Sequence, residues 1–242
     1  MDGNSHILDE KINYKADDHV EQIHTNNLDT QANHLYLMGE AAYADWQVDG
    51  MEPGVEYLMA NRFIKNVNIL MRKNPESPIL IHLKSNGGFW EEGMAIYDMI
   101  KACPVPVTIL NYTHARSMSS IIFQAANKRV MMPHSYFLFH DGTLGVDGTV
   151  KQVESAVDFN KLSTDIMLDI YVEAMKRGGK FSKKSKEFIR TWLRTEMDRK
   201  EDVYLTAEQA VEYGLADEIF GADGKYDWKK LTEYTDEQLS RG

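Results

Sequence analysis

One cysteine, Cys103, occurs among the 242 residues, so no internal disulfide can staple this chain. Cys103 lies in KACPVPV, between a helical and an extended pattern, with no histidine near it in sequence. It reads as a buried structural thiol, and a reducing cytoplasm fits. No stretch approaches the ~18 consecutive apolar residues of a membrane-spanning helix. The first residues, MDGNSHILDEKINYKADDHVEQ, lack the basic and then apolar order of a secretory signal. Acidic residues outnumber basic ones, 37 to 27. A formal net charge of −10 repels phosphate backbones, which argues against nucleic acid as a partner. The G-x-x-x-x-G-K-[ST] phosphate loop is absent, so nothing here points to ATP hydrolysis. The G-x-S-x-G elbow is absent too, since Ala115 and Ser119 stand where its glycines would be. Hydrophobic residues at 43% are enough for one large, well-buried soluble domain.

The chain falls into three stretches. Residues 1–33 are polar and without clear period, an arm that is mobile or orders on assembly. Residues 34–222 alternate between extended and helical patterns. HLYLMGE reads as a strand, and residues 55–72 as a helix with Leu58, Phe63, Val67 and Leu70 on one side. ILIHL has the compact apolar run of a strand buried on both faces. KSNGG then turns into the helix FWEEGMAIYDMIKA. VTILNY, the turn ARSMSS and the apolar helix SIIFQAAN follow, then short strands in KRVMMP and SYFLFHDG. This order predicts α/β architecture with a largely parallel sheet. Residues 148–176 read as one long helix with Val150, Val153, Val157, Leu162, Ile166 and Ile170 on a stripe. A basic helix, SKKSKEFIRTWLRTEM, comes next. VYLTAEQAVEYGLADEIF then reads as strand, helix and strand, with Thr206 and Gln209 spaced for a capping box. Residues 223–242 form a polar tail expected at the periphery.

Two small-residue turns follow buried strands and open helices, at the sheet edge where α/β proteins bind ligands. In KSNGG the glycines leave backbone N–H groups bare, which suits an oxyanion as well as a plain helix entry. In ARSMSS, Ser117 fits either an N-cap or a nucleophile. A nucleophile needs a base. His6, His19 and His24 lie in the arm, His34 opens a strand and His82 sits within one. His114 precedes the serine turn and His134 follows a proline. His140 ends the apolar strand YFLFH, where a polar side chain points into the crevice.

In their order and spacing these pieces resemble the Clp protease proteolytic subunit, from Leu35 to Phe220. LYLMGE is similar to that family's first strand, ILIHLKSNGG to its strand and Ser-Pro-Gly-Gly turn, and ARSMSS to its Ala-Ser-Met-Gly turn. MPHSYFLFH resembles its proline-to-histidine strand, and DVYLTAEQAVEYGLADEI its acidic segment. The resemblance implies a fold of repeated β-β-α units and a serine endopeptidase with Ser117 as nucleophile, His140 as base and Asp202 as orienting acid. It places oxyanion donors on the backbone N–H groups of Gly88 and Met118. It implies no cofactor and no metal. The helix over residues 148–176 becomes a protruding handle that joins stacked rings, heptameric in the family. Their chamber degrades unfolded polypeptides delivered by a separate ATP-dependent unfoldase. The chain departs from the pattern at Asn86, at Ser119 in place of glycine, at Arg116, expected to reach outward to a carboxylate, and in the basic segment around residues 180–199. That insertion makes Asp198 a rival to Asp202. A catalytically silent ring subunit, a phage-type capsid-maturation protease and a crotonase-type acyl-CoA enzyme are the alternative readings.

Overall fold

The computed structural model of the protein describes residues 18–39 and 53–241. The first part of the arm and most of the loop DWQVDGMEPG lie outside them.

An eight-stranded mixed sheet, parallel in most of its pairs, organises the described chain. Helix α1 (Asp18–Asn26) and strand β1 (Leu28–Asp29) lie within the stretch read as an arm, and β1 pairs antiparallel with β2 (His34–Met38). Helix α2 (Tyr57–Lys73) starts two residues later than the periodicity predicts. Glu56 caps it, its carboxylate accepting from the N–H groups of Leu58 and Met59. Val55, read as the first helical residue, is buried and bridges Gly88 instead. Strand β3 (Ile79–Ser85) and helix α3 (Trp90–Lys101) flank the KSNGG turn.

Strand β4 (Val107–Arg116) is the longest at ten residues and serves two partners. Its first half, Thr108–Asn111, pairs parallel with β5 (Lys128–Met131). Its last residues, His114–Arg116, pair parallel with β6 (Tyr136–Phe139). The short helix α4 (Met118–Phe123) leaves its end. Strand β7 (Val203–Thr206) pairs antiparallel with β6, and β8 (Glu218–Ile219) parallel with β5. Helix α7 (Ala207–Tyr213) lies between them and carries the Thr206–Gln209 capping box.

Helix α5 (Val150–Arg177) runs 28 residues, about 42 Å at 1.5 Å per residue. Its buried residues, Ser163, Met167, Leu168, Tyr171, Val172, Ala174 and Met175, all lie from its midpoint onward. Leu162 and Ile166, on the stripe read from sequence, face outward at 55% and 37% exposure. The helix therefore has two apolar faces, one seated on the core and one bare. Helix α6 (Lys186–Lys200) lies against it, with Arg190 bonded to Asp165 and Asp169, and Arg194 to Asp165.

The C-terminal segment is not peripheral. Leu231, in a 3-10 turn over Trp228–Thr232, is fully buried with Leu80, Leu110, Val130 and Phe220 on the outer sheet face. Main-chain carbonyls of Leu231 and Lys230 accept from Thr108 Oγ1 and Lys128 Nζ. Arg241, just beyond helix α8 (Asp236–Leu239), reaches the Asp217 carboxylate, which also holds the buried Arg129. Rings of Tyr226 and Trp228 against Phe220, one buried leucine, backbone acceptors and the Arg241–Asp217 pair do this docking, a mixture that leaves no hydropathic period.

Candidate active site

Ser117 sits between β4 and α4 with φ 54° and ψ −125°, the first central residue of a type II′ turn in shape. A non-glycine residue there costs about 1–3 kcal/mol and must be held by its surroundings. The Ser117 N–H donates to the Leu138 carbonyl. Its own carbonyl accepts from the Ser120 N–H and, at 2.6 Å, from the Ser120 hydroxyl. Gly87, at φ +90°, packs so closely that a Cβ there would lie 2.5 Å from the Arg116 carbonyl oxygen and 2.6 Å from Ser117 Cβ. Ser117 occupies the N-cap position of α4 yet makes no capping bond. Its hydroxyl lies 2.7 Å from His140 Nε2.

Strand register brings the three sequence-singled residues together. In the β4–β6 pair Arg116 faces Leu138, so the residue just after β4, Ser117, arrives beside the end of β6. In the β6–β7 pair Phe139 faces Val203. In an antiparallel ladder the residue after one then opposes the residue before the other, which sets His140 against Asp202. His140 Nδ1 is 2.9 Å from Asp202 Oδ1. A carboxylate only accepts, so Nδ1 carries the proton and Nε2 presents its lone pair to the serine hydroxyl. Helix α6 ends just before Asp202 at Glu201, whose φ of 57° reverses the chain while its N–H bonds the Met197 carbonyl. Asp198 stays on the exposed side of α6, and the carboxylate at the imidazole is that of Asp202.

A cavity of about 660 Å³ opens beside these groups. Gly88 and Met118 line it together with Ser117 and His140, and Ile121 and Met167 supply apolar wall. The bridge to Val55 uses the Gly87 carbonyl and the Phe89 N–H, which leaves the Gly88 N–H out of that pairing. Ser119, where crowding of this region could be expected, is fully buried and does not line the cavity; its hydroxyl has no hydrogen-bond partner among the described residues. Arg116 forms no ion pair among the described residues, contrary to the expected carboxylate contact. Cys103 donates to the Met99 carbonyl, and burial pushes its thiol up to about 11, so it is no thiolate at neutral pH. Among the described residues no group of histidine, cysteine and acidic side chains could hold a metal ion, and no helix is long and apolar enough to cross a membrane.

The side chains that stand behind the turn escaped the sequence reading. Ser120 figures there only where ARSMSS runs into SIIFQAAN, and Tyr171 is not among the positions picked out on the long helix. Neither has a spacing signal that separates it from ordinary core.

Fold and site together define an α/β protein whose reactive groups gather where β4 and β6 end. Comparison with known proteins narrows this class. A family model described as Clp protease matches residues 32–223. The ATP-dependent Clp protease proteolytic subunit of Deinococcus radiodurans is 30% identical over 168 residues, covering 68% of this chain and 76% of that protein. Proteolytic subunit 3 of Streptomyces coelicolor is 29% identical over 68% of this chain and 71% of its own length. The proteolytic subunit of Dehalococcoides mccartyi is 30% identical over 66% and 75%. The chain belongs to the Clp protease family.

Proposed function

We propose that the protein is a serine endopeptidase of the cytoplasm that cuts unfolded polypeptides inside a ring-shaped assembly. The observation that carries this reading is the hydroxyl of Ser117 held off its capping role and 2.7 Å from an imidazole that is itself 2.9 Å from a carboxylate. A serine hydroxyl is a poor nucleophile at neutral pH. As Oγ attacks a peptide carbonyl carbon, its proton passes to His140 Nε2, and Asp202 stabilises the imidazolium through Nδ1–H. The carbonyl oxygen becomes an anion. The N–H groups of Gly88 and Met118, from the two adjacent turns, receive it, each worth about 3 kcal/mol. The tetrahedral intermediate collapses with loss of the amine, which takes the proton from His140. Water, activated by the same imidazole, then hydrolyses the acyl-enzyme.

Family membership supports the assembly half of the reading. The stretch of α5 before Ser163 carries no buried residue and exposes Val150 and Leu162, as a handle that meets a second ring would. A separate ATP-dependent unfoldase would feed such a chamber, since no nucleotide motif occurs in this chain.

A fluorophosphonate probe reads the nucleophile directly. It is expected to label Ser117 in wild type. Ser117→Ala should give no labelling at unchanged assembly mass, and Asp202→Asn should slow it by at least ~10³-fold. An assembled wild-type protein that the probe leaves unlabelled would overturn the peptidase reading.

A further inference from the structure

Tyr171 is fully buried in α5, far along the chain from every residue of the proposed reaction. Its ring packs against Phe137 and Phe139 of β6, with centroids 6.1 and 5.7 Å away, just ahead of His140. Its hydroxyl lies 2.7 Å from Ser120 Oγ. Each hydroxyl has one proton to give. Ser120 spends its proton on the Ser117 carbonyl, so Tyr171 must donate into the Ser120 oxygen. Burial raises the Tyr171 phenol above its ordinary range, so it is protonated and able to donate at neutral pH. A directed chain results, from the Tyr171 O–H to the Ser120 O–H to the Ser117 carbonyl, and linked hydrogen bonds of this kind reinforce one another.

That carbonyl is one end of the peptide unit joining Ser117 to Met118. The unit is planar and trans, so fixing the direction of its C=O fixes the opposite direction of the Met118 N–H. Met118 lines the cavity, and its N–H is one of the two groups assigned to the oxyanion.

We propose that Tyr171, acting through Ser120, is a positioning residue that aims the Met118 N–H by pinning the Ser117 carbonyl behind it. The inference rests on the peptidase reading for its functional consequence, while its geometric content stands apart from it. An oxyanion donor matters in the transition state more than in substrate binding. Loss of the Tyr171 hydroxyl therefore lowers kcat and spares KM.

Tyr171→Phe keeps the ring and removes only the hydroxyl; Ser120→Ala removes the link. Each is expected to lower kcat on a fluorogenic peptide by ~10-fold with KM within about two-fold of wild type. Because both act on one chain, the double variant should fall no further than Ser120→Ala alone. Crystal structures of the variants should show the Ser117–Met118 peptide plane turned from its wild-type orientation. Full activity in Tyr171→Phe, losses that multiply in the double variant, or an unchanged peptide plane would each overturn the inference. If wild type resists the fluorophosphonate probe, the peptidase reading fails, and the peptide plane still decides whether the relay exists. Should Ser120→Ala not fold, Tyr171→Phe alone carries both the kinetic and the structural readouts.

Discussion

At the scale of single residues, Gly87 is the tightest constraint around Ser117. It holds φ +90°, and any Cβ would strike the Arg116 carbonyl, Ser117 Cβ and, at 2.8 Å, the Met118 nitrogen. All three contacts are rigid, so the nucleophile turn itself would have to move. Gly87→Ala should cost about 1–3 kcal/mol of stability, visible as a lower denaturant midpoint. Fluorophosphonate labelling should fall much further, ~100-fold, because a misplacement near 1 Å is enough to do so. Labelling that falls only in step with the folded fraction would show that the turn tolerates the methyl group. Ser117 and His140 were legible because each follows a buried strand, and a polar group placed there stands out; Asp202 was reached through the family resemblance. The choice between Asp198 and Asp202 was not legible from composition. It turns on Glu201, whose left-handed backbone ends α6 and delivers Asp202 to the imidazole. Tyr171 could not be singled out, since a tyrosine at helical spacing differs from core only through its partner, and that partner is 51 residues away.

At the scale of elements, β3 carries a titratable group where ILIHL suggested only core. His82 is buried, with Nδ1 2.8 Å from the Tyr112 hydroxyl, Nε2 3.1 Å from His34 Nδ1, and its ring stacked on Tyr36. Burial, helped by the neighbouring His34 and opposed by Asp29, lowers it from 6.5 to about 4. The folded pKa lies below the unfolded one, so between them the unfolded state binds more protons and stability rises with pH. The neutral ring thus contributes in full above about pH 6.5, and its contribution is lost as pH falls from there toward 4. At 1.36 kcal/mol per unit, the loss is ~3 kcal/mol. Burial lowers His34 as well, which adds a smaller effect of the same sign. Denaturant unfolding between pH 7.5 and 4 should show this decline, and His82→Gln should flatten most of it. An equal slope in the variant would place the acid sensitivity elsewhere. The largely parallel sheet could be anticipated from the alternation of patterns. Helix α1 and the docked C-terminal segment could not, because polar bonds to backbone carbonyls hold much of the latter, and such bonds leave no hydropathic period.

At the scale of the whole molecule, the puzzle is a helix longer than its own domain can cover. About half of α5 rests on the core; the half before Ser163 projects with Val150 at 74% exposure and Leu162 at 55%. Apolar residues in such a row are uncommon on a protein that stays alone. Arg190 and Arg194 of α6 bridge to Asp165 and Asp169, three and seven residues beyond Leu162 and so beside it on the helix, which holds α5 against rolling to hide its bare side. A second copy meeting it in antiparallel fashion would cover the stripe with the same stripe, the self-complementary contact of a two-fold interface. Two stacked rings of seven 27.8 kDa chains would weigh about 390 kDa, and sedimentation should find that mass in wild type. On the proposed assembly, Leu162→Glu would place a charge in the contact between rings while leaving the domain's own core untouched. It should halve the mass to single rings with unchanged circular dichroism. A wild-type monomer would sink the handle assignment, and a full-sized Leu162→Glu assembly would move the ring-to-ring contact off this face of α5.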